Sequence, residues 1–155
     1  MKSIVGINQL NNLKKVLKDK KVVLVGGCFD ILHPGHVIFL QKAKKEGEIL
    51  VVLLESDQKI KKLKGTNRPL YTQTDRAIIL SALKFVDFVI LLTFMDQEED
   101  YDQLVGELRP SIIAATKDSK GNVHKLRAAK LVGAKLKYVT AKIGNYSSSI
   151  FWQKK

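Results

Sequence analysis

The chain switches repeatedly between unbroken apolar runs and segments carrying a helical apolar stripe, and this switching constrains its fold more than any other feature. The runs are Val22-Val23-Leu24-Val25, Ile49 to Leu54, Phe88 to Leu92, Ser111 to Ala115 and Leu136 to Val139. Largely continuous hydrophobicity marks strands buried on both faces, which belong to parallel sheets covered by helices. The helical stripes are Leu10 to Leu17, Pro34 to Glu46, Thr74 to Leu83, Glu98 to Leu108 and Val123 to Leu131, with a short last helix from Ser147. Pro34 suits a first helical turn and Gly47 a helix stop. The predicted fold is a single doubly wound, Rossmann-like α/β domain over residues 1–155, with a five-stranded parallel sheet and helices on both faces. A chain of 155 residues is long enough to bury such a core.

Charge narrows the partners without choosing one. The net charge of +12 attracts nucleotides, phosphorylated metabolites or nucleic acid. The lysines are scattered (Lys14, Lys15, Lys18, Lys20, Lys21, then Lys42, Lys44, Lys45, then Lys59, Lys61, Lys62, Lys64), as on an ordinary solvated exterior. No helix-turn-helix, zinc-finger spacing or aromatic-interleaved basic strand supports nucleic-acid binding. No apolar run approaches the roughly 20 residues that span a bilayer, so no membrane partner is expected. The start lacks the apolar core of a secretory signal. Cys28 is the single cysteine, which rules out an internal disulfide. The expectation is a cytoplasmic protein.

In open α/β sheets, ligands bind beyond the carboxyl ends of the strands. The segments there are Gly27-Cys28-Phe29-Asp30, Glu55-Ser56-Asp57, Thr93-Phe94-Met95, Thr116-Lys117-Asp118 and Thr140 through Ser149. Just after the first comes His33-Pro34-Gly35-His36, two histidines at the start of a helix and on one face of it. The unpaired N–H groups of a helix start suit phosphate. Gly35 leaves room for a phosphate to approach, and the pair is expected to form a positive pocket for charge developing on transferring phosphoryl oxygens. Other readings stay open. The histidines can be metal ligands, although no further His or Cys nearby completes a zinc site, or they can be capping or core residues. Cys28 can be a nucleophile, but packing is the expectation. Trp152 is expected to pack.

The run Gly26-Gly27-Cys28-Phe29-Asp30-Ile31-Leu32-His33-Pro34-Gly35-His36 closely resembles the signature of the cytidylyltransferase-like nucleotidyltransferases of the His-x-Gly-His superfamily. Lys61-Lys62-Leu63-Lys64-Gly65-Thr66-Asn67-Arg68-Pro69, with Asp75-Arg76, Ser81-Ala82-Leu83 and Val86-Asp87, resembles the adenylyltransferase domain of bacterial ADP-heptose synthase. The likeness covers nearly the whole chain. It implies an enzyme in which a substrate phosphate attacks the α-phosphorus of a nucleoside triphosphate and pyrophosphate leaves. ATP would be the donor and a sugar 1-phosphate the acceptor. The alternatives are a CTP-using glycerol-phosphate-type enzyme or a nucleotide-binding regulator without turnover. Catalysis would fall to His33, His36 and Lys64. Nucleotide binding would involve Gly27, Cys28, Phe29, Asp30, Gly35, Arg76, Thr116, Asp118, Lys142, Ser147, Ser148 and Ser149, with Asp30 organising the loop and Arg76 either structural or near the nucleotide. Magnesium would accompany the triphosphate with no dedicated protein metal site, and relatives are often homodimers. Two segments depart from the family pattern: Thr116-Lys117-Asp118 where glycine is common, and Lys142 to Ser149, where serines replace Ser-Thr-Thr. Ser147 can equally be a simple helix cap.

Overall fold

Six parallel strands, rather than five, form the sheet in the computed structural model, which describes residues 3–153. They are β1 Ser3–Gly6, β2 Val22–Gly27, β3 Ile49–Leu54, β4 Phe88–Leu91, β5 Ile112–Thr116 and β6 Lys135–Thr140, in the order β1-β4-β3-β2-β5-β6. The additional strand is β1, which lies along β4 at one edge with Val5 opposite Ile90. Four residues with two apolar side chains are too short to show a periodicity. Only the paired β4 reveals their strand character.

Successive residues of the central strands feed opposite layers. Val22 and Leu24 of β2 face the core shared with α1 (Leu10–Leu17), α5 (Glu98–Leu108) and α6 (Asn122–Val132). Val23 and Val25 face the core shared with α2 (Pro34–Lys44) and α4 (Gln73–Ser81). The sheet is therefore wound on both sides, as the apolar runs predict. The last helix, α7, spans Ser148–Gln153. The expected packing of Trp152 concerns a side chain outside those described.

Another element is absent from the sequence reading: α3, Asp57–Lys64. It buries only Ile60, so it shows almost no apolar stripe. Its signals are terminal. Ser56 caps it by accepting the Lys59 N–H at 3.1 Å, Asp57 sits in the first turn, and Gly65 ends it at φ 100°.

Strand β2 pairs with β3 over all six positions from Val22 to Gly27, but with β5 only at Val23 and Leu24. The chain winds from β2 outward through β3 and β4, then returns to lay β5 and β6 on the other side. The reversal of strand order thus falls where two neighbouring strands separate, and a crevice opens between their carboxyl ends.

The turn into β3 depends on close backbone approach. A Cβ on Gly47 would lie 2.5 Å from the Lys21 carbonyl oxygen and 2.7 Å from Val23 Cγ2. Gly47→Ala is expected to lower stability by about 1–3 kcal/mol through this overpacking. Gly106, inside α5, has open space around the same position, so Gly106→Ala is expected to raise stability by about 0.5–1 kcal/mol. Denaturant unfolding measures both, and an unchanged midpoint for Gly47→Ala would contradict the packing described.

Candidate active site

A cleft of about 280 Å³ lies over the separation of β2 and β5. One wall is the segment after β2, Gly26 to Phe29, continuing into His33, Gly35 and His36 at the start of α2. The other is built from Thr116 at the end of β5, Ser119 and Lys125 beyond it, and Thr140 to Ile143 after β6. Lys64, Tyr146 and Ser148 complete the rim. The wall carries three lysines and no carboxylate. Such a wall favours a polyanion.

The histidines are arranged by the helix start. His33 is the N-cap of α2, with extended backbone, and its Nδ1 accepts the His36 N–H at 3.3 Å. Pro34 follows at the first position, where no N–H is needed. The two imidazoles stack with centroids 3.7 Å apart, Tyr146 lies 5.8 Å from His33, and Phe29 closes on His36 from the other side at 5.1 Å. Capping, one of the open readings, is thus a real role of His33. It fixes the tautomer as well: a neutral ring that accepts at Nδ1 carries its proton on Nε2.

Gly35 is needed for this stack. A Cβ there would come within 3.0 Å of the His33 ring and 3.5 Å of Tyr146. The room expected for phosphate beside Gly35 is filled by the imidazole itself.

The expectation of a cationic histidine pair is corrected. Burial lowers the His36 pKa to about 3, assisted by His33 and by the positive charge of Lys64; the Ile31 carbonyl opposes this without hydrogen-bond geometry, leaving Nδ1 buried and unpartnered. Burial also lowers His33. Two stacked rings cannot both hold charge cheaply. In the unliganded protein they are neutral donors and acceptors, and positive charge comes from Lys64, Lys125 and Lys142. Burial raises the Cys28 thiol above its ordinary value against the pull of Lys64, which keeps it protonated and favours packing over nucleophilic attack.

Several residues of the nucleotide-binding set hold the walls. Asp30 is buried, with one carboxylate oxygen bound by Arg68 and the other accepting the Leu70 N–H at 2.7 Å. Arg76 is 1% exposed. Its guanidinium donates to the carbonyls of Tyr71, Cys28 and Glu55 at 3.1, 2.5 and 2.9 Å and to Asp57 at 2.7 Å, tying the β2 loop to the end of β3 and the start of α3. Ser147 accepts the Ser149 N–H at 3.3 Å, the local cap foreseen as an alternative. Asp118 occupies an exposed turn at φ 61°, and it, Ser147 and Ser149 lie off the cleft wall. Gly27, Cys28, Phe29, His33, Gly35, His36, Lys64, Thr116, Lys142 and Ser148 are brought together on it.

Lys125, Ser119 and Tyr146 line the cleft without having been picked out by sequence. No local signal marks the first two: α1, which lies off the cleft wall, lacks acidic residues in its first turn just as α2 and α6 do.

Residues 24–153 match the cytidylyltransferase-like family. The chain belongs to this family. It is accordingly a nucleotidyltransferase domain. It is 42% identical over 120 residues to the bifunctional protein HldE of Campylobacter fetus, a match covering 77% of this chain and 25% of that protein. The corresponding protein of Helicobacter pylori is 41% identical over 109 residues, 70% of this chain and 23% of its own. The chain thus spans about a quarter of the length of these relatives. A lipopolysaccharide core biosynthesis protein from Thermoplasma volcanium superposes with a TM-score of 0.62 at 33% identity, covering 83% of this chain and 99% of that one. Pantoate-beta-alanine ligase from Francisella tularensis (TM-score 0.63, 17% identity, 88% and 66% covered) shares the fold. No helix among the described residues is long and apolar enough to cross a membrane.

The neutral, partly buried histidines set a pH dependence. Their folded pKa values lie below the unfolded one, so the unfolded chain takes up protons first as pH falls. Stability is complete above about pH 6.5 and declines below it, by up to about 1.4 kcal/mol per pH unit from the His36 ring, which stays neutral. Between pH 6.5 and 5, above the carboxylate range, His36→Gln is expected to flatten the slope measured by urea unfolding. Wild-type stability that rises over this interval would contradict neutral burial.

Proposed function

We propose that the cleft binds a nucleoside triphosphate, ATP in preference to CTP, and transfers its nucleoside monophosphate to a sugar 1-phosphate of the heptose type. The observation that carries this reading is the stacked His33–His36 pair at the start of α2, on the wall of a lysine-lined cleft at the strand-order reversal. The similarity to the HldE proteins supports the choice of donor and acceptor.

In this reaction an acceptor phosphate oxygen attacks the α-phosphorus, the bond from that phosphorus to the bridging oxygen breaks, and pyrophosphate departs with the bond electrons. Little covalent work is left to the protein beyond positioning and charge stabilisation. The backbone N–H groups at Gly27 to Phe29 and at Gly35 face the α-phosphate. His33 and His36 donate to phosphoryl oxygens and gain protons as the polyanion raises their pKa values. Lys64 approaches from the end of α3, Lys142 from the loop after β6, and Ser148 offers its hydroxyl to the departing phosphates. Thr116 stands nearer the nucleoside.

Magnesium enters this account as part of the substrate. The described residues contain no cluster of three or more His, Cys, Asp or Glu side chains suited to a metal. Phosphate oxygens bind this ion with few protein ligands.

Pyrophosphate release with ATP and CTP, each paired with sugar 1-phosphates and polyol phosphates, tests the assignment. The pair ATP and heptose 1-phosphate is expected to give the highest kcat/KM; preference for CTP with glycerol 3-phosphate would favour the polyol-type alternative. His33→Ala and His36→Ala are each expected to lose about 100- to 1,000-fold in kcat while keeping the wild-type circular dichroism. Full turnover in both variants would contradict the site.

A further inference from the structure

Arg68 is 5% exposed and joins three segments around the cleft. Its Nε donates to Asp30, in the loop that follows β2, and its Nη2 donates to Ser148 Oγ at 3.0 Å, at the first residue of α7. Asp30 is held in turn by the Leu70 N–H. Ser148 is 7% exposed and stands on the cleft wall. Among hydrogen bonds between described residues, the one from Arg68 to Ser148 is what joins α7 to the body of the domain.

We propose that Arg68 is a positioning residue for nucleotidyl transfer: through Ser148 it aims a hydroxyl donor at a phosphate oxygen of the bound triphosphate, with Asp30 fixing the guanidinium. The proposal rests on the reading that the cleft takes a triphosphate.

A serine hydroxyl has one proton and two acceptor lone pairs. Arg68 occupies a lone pair, so the proton must point elsewhere, and no described acceptor receives it. The cleft is the open direction. Accepting from a cation also polarises the hydroxyl and makes it a stronger donor. The planar fork of arginine serves Asp30 and Ser148 together, which one ammonium cannot do with the same geometry. A buried ion pair costs desolvation and adds little stability by itself. Its value here lies in holding the histidine loop and the start of α7 at a set separation.

The test is a double-mutant cycle read by calorimetry of magnesium-triphosphate binding and by steady-state kinetics, with the melting temperature of each variant as control. Ser148→Ala leaves the Arg68–Asp30 pair in place, so the fold should survive. Ser148→Ala and Arg68→Lys are each expected to weaken triphosphate binding about tenfold, the loss of one charge-assisted hydrogen bond, with the acceptor KM unchanged. The double variant is expected to lose about tenfold as well, since both changes remove one donor. Ser148→Thr, which keeps the hydroxyl, is expected to bind within about threefold of wild type and serves where Arg68→Lys does not fold. Losses that multiply to about 100-fold, Ser148→Ala binding like wild type, or Ser148→Thr as weak as Ser148→Ala would each overturn the relay. A wild-type protein that binds no triphosphate would overturn the transferase reading itself, and the relay with it.

Discussion

The separation of β2 from β5 after two paired positions is the constraint on which the rest depends. A parallel sheet buried on both faces has no free surface for a ligand except at its ends. Reversal of strand order creates a gap there, because no crossover helix covers both neighbours. The groups that line this gap suit phosphate: the glycine-bearing loop after β2, the histidine pair at the start of α2, and lysines from both sides. Pairing of β2 with β3 through Gly27 keeps one bank rigid while the other stands away.

Much of the polar chemistry around the cleft is directed at holding it open. Arg76 links four backbone or carboxylate groups beneath the β2 loop, and Asp30 with Arg68 links that loop to the start of α7. Gln73 donates to the carbonyls of Leu54 and Leu92 at 3.0 and 2.8 Å, closing off the ends of two adjacent strands. These groups are buried and hydrogen-bonded, so they define geometry without contributing free charge. The free charge belongs to lysines on the wall. The histidines contribute directed hydrogen bonds and a latent capacity to take up protons.

The order of buried strands and helices was legible because continuous apolar runs and 3.6-residue stripes are direct consequences of double-sided burial. What escaped was short. Strand β1 has two apolar residues, and α3 buries one, so neither carries a period. At the site, the histidine motif and Lys64 were legible because they cluster on one loop and the segment after β3. The division of labour was not. Holding the loop was among the roles expected of Asp30 and Arg76, but their partners include groups 40 and 48 residues away, and only the fold shows which groups they hold. The protonation of the histidines was misjudged for a similar reason, since burial and stacking arise from Phe29, Tyr146 and the turn geometry together. Lys125 was overlooked because a lone lysine in a basic chain carries no local signal.

The central claim is that a triphosphate binds against the stacked imidazoles. The chain has three histidines, and the third, His124, lies away from the cleft wall beside Glu98 on α6. Imidazole resonances followed by NMR across pH, with and without magnesium-bound ATP, address the claim directly. The account predicts that the nucleotide raises the apparent pKa values of His33 and His36. Titration curves for His33 and His36 that do not move on adding nucleotide would contradict it.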